Sequence, residues 1–334
     1  MTMAIQSRDS SIELLRIIIM FMILLLHANF LAFGIPQDHS FLSFSRCLAE
    51  AFTLSPVNIF VLITGFFGTR FSIRKSMSLI YQVFFCVVPI SLILVLCGIV
   101  DFDYRYFVFH KYWFINAYIG LLAVTPVLNV AAERFSRKEI KSFLIIFYVI
   151  AFIGTLLGLV GIEIAGGCSL LWFIFLYLLG RYVKMYEPSL SKKQLILIIL
   201  VSCLSNAIAI FVLHSFDYVG PFLVVQSVST LLLFNKFKLN CKLINKIAIS
   251  TTMVYLVNLH PALWGMEQKI LFLMNQRFCI PVFLLYIVLT SMVVFVFAIL
   301  YDNLRLFTWN KLNSIFKNKG DNISDSQDNN IEMQ

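Results

Sequence analysis

An arginine and a histidine, Arg16 and His27, stand inside an otherwise apolar stretch over residues 10–33. Imidazole titrates near neutral pH and can take or give a proton, while a guanidinium keeps its charge and grips phosphate or carboxylate in a fork. At membrane depth either group costs at least ~2.5 kcal/mol, so it persists where it faces a polar interior or performs chemistry. Eleven positions at ~100° each make about three turns, which puts both side chains on one helix face. Glu13 lies one turn before Arg16 on nearly that face, and Ser10 with Glu13 forms a capping-box pattern that predicts a helix start at the membrane surface. At ~1.5 Å per residue His27 then sits ~16 Å deeper, about halfway through a ~30 Å hydrocarbon core. Each residue also has a plainer reading. An arginine at a helix start can snorkel into headgroups as a topology anchor, and a membrane histidine can hold a neighbouring helix by a hydrogen bond.

These two side chains need a helix that crosses a membrane, and the composition supplies many. Hydrophobic residues make up 60% and charged residues 13% of the 334, with a mean hydropathy of +0.90. That excludes a soluble domain and implies an all-α, polytopic transmembrane helix bundle, a multi-pass protein of the cell membrane. The net charge of +9 lies in short clusters between apolar runs, so the partner it points to is the lipid bilayer and no nucleic acid. The seven cysteines are scattered singly without CxxC or metal-ligand spacing, which argues against a disulfide framework and a metal site. Residues 10–33 lack a convincing small-residue cleavage site, so they are expected to stay as the first helix.

Gly34, Ile35 and Pro36 end the first run. Further apolar runs cover residues 48–68, 77–100, 112–130, 142–161, 166–183, 195–213, 218–234, 248–266 and 280–301. Most reach the ~17–25 residues a span needs, which predicts about ten membrane-spanning helices with a kink in the ninth. With ten spans in alternation, the 26 Lys and Arg fall on the N-terminal side except for Arg46, Arg105, Lys111, Lys269 and Arg277. By the positive-inside rule both termini are cytoplasmic. The chain thus divides into a cytoplasmic lead over residues 1–9, a membrane domain over 10–305 and a cytoplasmic tail over 306–334, polar and expected to be disordered beyond residue 319. No pair of interrupted helices sits symmetrically in the two halves, which weakens an inverted-repeat transporter.

With ten residues between them, Arg16 and His27 resemble the signature of acyltransferase family 3, integral membrane proteins many of which O-acylate surface polysaccharides. Asn58-Ile59-Phe60 running into Ile63-Thr64-Gly65-Phe66-Phe67 is similar to the family's second helix, where Ser-Gly-Phe or Ser-Gly-Tyr is usual. Trp113-Phe114, Tyr118-Ile119-Gly120, Pro126 and Asn129 resemble its Trp-Phe, Tyr-Ile-Gly, Pro, Asn pattern, and the Phe-rich segment from Phe173 to Gly180 resembles a later one ending in Leu-Gly. The order of these motifs covers residues 10–305. Two departures stand out. Three residues separate Arg70 from Arg74, where the family often has arginines two residues apart. In Tyr255-Leu256-Val257-Asn258 an asparagine stands where the family often has histidine, and His260, ~200° round the helix, cannot replace it.

The resemblance implies an acyl-CoA donor made in the cytoplasm, an acetyl group as its cargo, no metal, and as acceptor a hydroxyl of a cell-surface or lipid-linked glycan. Acyl transfer to a hydroxyl needs a base to take its proton and a group to stabilise the oxyanion. His27 is the candidate base, in direct transfer or, as a second route, through an acyl-histidine. Arg16 is the candidate for a CoA phosphate or the thioester, and Arg70, Arg74 and Lys75 complete an anion-binding mouth or act only as positive-inside anchors. Glu13 orients Arg16 or caps the helix. His110, Trp113 and Tyr118 are candidates to line an acceptor site, with aromatic faces against sugars, though Trp113 equally suits interface anchoring. Asn58 and Asn258 bond a substrate or a neighbouring helix. The polar face also admits a transporter or flippase of an envelope glycan, and a partner protein of an envelope assembly machine without chemistry.

Overall fold

A computed structural model describes residues 9–107, 112–159 and 164–331, with the side chains of residue 165 and of residues beyond 314 excepted. Among the described residues every regular element is a helix. The first, α1 (Ser10–His27), is the central one, because it packs against six other helices besides the short turn that follows it. Around it stand α3 (Phe41–Thr53), α4 (Pro56–Phe66), α10 (Pro221–Asn235), α11 (Lys242–Ala248), α12 (Thr251–Asn258) and α14 (Ile280–Ile331). The bundle is completed by a short turn of helix, α2 (Phe30–Phe33), and by α5 (Ile73–Leu96), α6 (Trp113–Arg134), α7 (Arg137–Leu157), α8 (Leu170–Met185), α9 (Lys192–Leu213) and α13 (Pro261–Arg277).

Among the described residues seven helices or helix pairs are long and apolar enough to cross a membrane, and an eighth joins them if the bent pair 242–277 counts as one span. The ten runs of the sequence exceed this number for a physical reason. The helices formed by the sixth and eighth runs, α8 and α10, have only 16 and 15 residues, below the ~17 residues a perpendicular crossing requires.

Three local expectations are corrected. The capping box of Ser10 and Glu13 does not form: Asp9 caps α1 by accepting the Ser11 amide at 2.9 Å. The serines are diverted to another strand of chain, since Ser10 Oγ accepts the Cys241 amide at 2.9 Å and Ser11 Oγ donates to the Phe237 carbonyl at 2.9 Å. The second span begins at Phe41, well before residue 48, and breaks at Leu54 and Ser55, where Pro56 starts α4. The ninth is not one kinked helix. It separates at Leu259 and His260, and the two parts meet at 74°.

His260 itself explains the bend. Its Nδ1 accepts the Ala262 amide at 3.2 Å, capping α13 with Pro261 in the first turn, so Nε2 carries the proton and faces the Val87 carbonyl of α5 at 3.3 Å. The opposite half of the bundle is held differently. At Gly65 an added Cβ would collide with the Tyr177 carbonyl, and at Gly180 it would meet the backbone of Leu62 and Phe66. The two glycines therefore let α4 and α8 cross with their backbones in contact, the small-residue packing usual between membrane helices.

Candidate active site

Arg16, Met20, Ile23 and His27 form one stripe down α1 and line a cavity of about 770 Å³. Their spacings of four, three and four residues follow the helical period, which confirms that the arginine and the histidine share a face. At ~1.5 Å per residue the stripe extends the cavity over ~16 Å of helix. At its upper end Arg16 is clamped by Glu13 at 3.0 Å, so Glu13 orients the guanidinium while Asp9 does the capping. The other guanidinium donors meet no protein partner among the described residues, and Arg16 is one-third exposed.

His27 is 7% exposed and sits at the very end of α1. Helical geometry stops just beyond it, where Asn29 is pulled onto α3: its amide nitrogen donates to the Arg46 carbonyl at 3.0 Å and to Glu50 at 2.8 Å. Nδ1 of His27 pairs with Oδ1 of Asn258, and Nδ2 of Asn258 faces both carboxylate oxygens of Glu267 at 3.3 Å. These partners fix the tautomer. A carboxylate accepts, so the asparagine turns its NH2 to Glu267 and its oxygen to His27. Nδ1 therefore donates, and Nε2 keeps the lone pair of a side chain that lines the cavity. Trp264 stands edge-on to the imidazole, with ring centroids 5.6 Å apart. The arrangement is that of a base held in one tautomer by a second group and steadied by a third.

The bend in the ninth span builds this relay. Nine residues of straight helix would separate Asn258 from Glu267 by ~14 Å. At 74° the second helix folds back, and the side chains meet at 3.3 Å. Glu267 escapes the sequence reading because it falls one position beyond the expected end of the ninth run at residue 266. An ionisable residue within an apolar span is the signal that would have found it.

The other predicted residues divide between the cavity and its surroundings. Trp113 and Tyr118 line the cavity, and Tyr118 Oη shares a hydrogen bond with Thr64 Oγ1 at 3.2 Å. Asn58 does not reach it: its Nδ2 donates to the Tyr218 carbonyl at 2.9 Å and its Oδ1 accepts from Trp172 Nε1 at 3.1 Å, binding α4 to α8. Arg70, between α4 and α5, and Arg74 and Lys75, in the first turn of α5, are exposed and lie outside the lining, whose nearest member is Leu79, one turn past Lys75. His110 lies outside the described residues.

A buried imidazole with one bare nitrogen, reached from the same cavity as an arginine, can deprotonate a hydroxyl beside an anionic thioester donor. A family model described as an acyltransferase domain, that of acyltransferase family 3, matches residues 9–302. The chain therefore belongs to this family of membrane acyltransferases. Neither a curated relative nor a solved structure matches the chain.

Proposed function

We propose that the protein transfers an acyl group, in the first instance acetyl, from cytoplasmic acyl-CoA to a hydroxyl of a cell-surface or lipid-linked glycan. In this reading the bundle makes ten spans of a bacterial cytoplasmic membrane with both termini cytoplasmic, α8 and α10 crossing as short helices and α11 to α13 as the bent ninth. Arg16 then meets the donor near the cytoplasmic face, and His27 meets the acceptor near mid-membrane. The single observation that carries the reading is the shared cavity: Arg16 and the tautomer-locked His27 open into one space of about 770 Å³.

The acceptor hydroxyl loses its proton to Nε2 of His27 as its oxygen attacks the thioester carbonyl. Asn258 and Glu267 steady the imidazolium that results, because the Nδ1 proton already points at the amide oxygen. Arg16 holds the anionic donor, and the exposed Arg70, Arg74 and Lys75 supply charge to CoA phosphates outside the cavity. The aromatic lining, with Trp113 and Tyr118, suits a sugar face.

Transfer of label from radiolabelled acetyl-CoA into the surface glycans of membrane vesicles tests the proposal. Wild type is expected to incorporate label, and Arg16→Ala and His27→Ala at matched expression to lose it by at least about 10²-fold. No incorporation by wild type from several acyl donors would move a glycan transporter or flippase ahead. Normal labelling by both variants would show the site to be elsewhere.

A further inference from the structure

Tyr255 is 6% exposed and lines the cavity, and its hydroxyl has no hydrogen-bond partner among the described residues. It lies on α12, three residues before Asn258 and hence on the same face, one turn from the group that locks His27. Burying a hydroxyl without a partner costs about 1–3 kcal/mol. Such an atom, next to a cavity, is one that a bound molecule can satisfy.

A second set of donors, the first amides of α6, meets it there. α6 has no side-chain cap, and its backbone ladder begins with the Asn116 amide on the Tyr112 carbonyl at 3.1 Å. The amides of Phe114 and Ile115 thus have no partner among the described residues, and both residues line the cavity. The Phe114 amide is near enough to act on the Tyr255 hydroxyl but closes no hydrogen bond to it. This end of α6 is not loose. Tyr112 Oη donates to the Leu256 carbonyl at 2.9 Å, which pins the start of α6 to the residue after Tyr255.

We propose that the Tyr255 hydroxyl and the first amides of α6 form the oxyanion-binding face of this cavity, making Tyr255 a catalytic residue in acyl transfer. The inference rests on the acyltransferase reading given above. As the acceptor oxygen bonds to the thioester carbonyl carbon, its proton passes to Nε2 of His27 and the carbonyl π electrons move to oxygen. That oxyanion accepts hydrogen bonds from Tyr255 Oη and the α6 amides, aided by the positive end of the helix dipole. When it collapses, the C–S bond breaks, the thiolate recovers the proton from His27, and the products are the O-acyl ester and free CoA thiol. Donors fixed before the reaction need no reorganisation, which is why such groups contribute most of the rate in acyl transfer.

Tyr255→Phe removes one oxygen and keeps the ring that packs against Tyr112 and Phe114. The measurements are turnover and KM for acetyl-CoA in native membrane vesicles, binding of a non-reactive acetyl-CoA thioether, and thermal melting in detergent. The expected result is a turnover lower by about 10²–10³-fold, with KM, thioether affinity and melting unchanged. Turnover within about threefold of wild type would overturn the assignment, as would a loss of thioether binding or of folded protein that accounts for the lost activity. Failure of the acyltransferase reading looks different: wild type itself then releases no CoA thiol, and both proposals fall together.

Discussion

Two asparagines inside apolar runs, Asn58 and Asn258, look alike in the sequence and are used in opposite ways. Asn58 is completely buried at the α4 and α8 crossing, where the Tyr218 carbonyl and the Trp172 indole use both ends of its amide. Further along the same crossing Gly65 and Gly180 bring the two backbones into contact. Asn258 also uses both ends of its amide, but it spends them on a histidine and a glutamate at the edge of a cavity, and a turn away the Tyr255 hydroxyl has no partner among the described residues. Saturated polar groups with backbone partners hold helices together. Polar groups that orient other side chains, with donors left over beside a void, prepare chemistry.

Breaking the closed region should have the largest effect on the fold. Gly65→Val forces two methyl groups into the Tyr177 carbonyl, and overpacking against backbone is expected to cost about 3 kcal/mol. Thermal denaturation in detergent should show the loss, and a variant that melts with wild type would mean that the crossing is not tight.

The asparagines themselves give the sharper test. Asn258→Ala should lower turnover by about 10²-fold while melting stays near wild type, because a lost orienting group costs 10–100-fold in comparable relays. Asn58→Ala should do the reverse: about 1–2 kcal/mol of stability lost with turnover per folded molecule unchanged. Paired measurements of melting and vesicle transfer decide it, and identical behaviour of the two variants would abolish the distinction.

The smallest effect belongs to the exposed charges. Replacing Arg70, Arg74 or Lys75 by Gln one at a time should raise KM for acetyl-CoA by less than about threefold, some 0.6 kcal/mol, as expected for screened surface charges. Titration of rate against acetyl-CoA at two salt concentrations reads this directly. A tenfold change from a single replacement would place the donor's phosphates at the start of α5 rather than at Arg16.

Much of this protein was legible without coordinates, and the reason is the locality of the information. Hydropathy over about twenty residues marks a span, and the helical period alone put Arg16 and His27 on one face, since both depend only on neighbours in the chain. The break after His27, the separation of the second span at Ser55 and the 74° bend at His260 were less visible. The first and the last depend on partners elsewhere: Asn29 on α3, and His260 on the Val87 carbonyl of α5.

The same division runs through the site. Sequence determined that one helix carries a histidine and an arginine ~16 Å apart on a common face, and that the chain belongs to a family of acyltransferases. Only the tertiary structure decided that Asn258, 231 residues from His27, sets its tautomer, that Glu267 folds back to support it, and that Asn58 is spent on packing. Hydrogen bonds across such distances depend on how helices cross and where they bend, and no short-range pattern of residue types encodes that geometry.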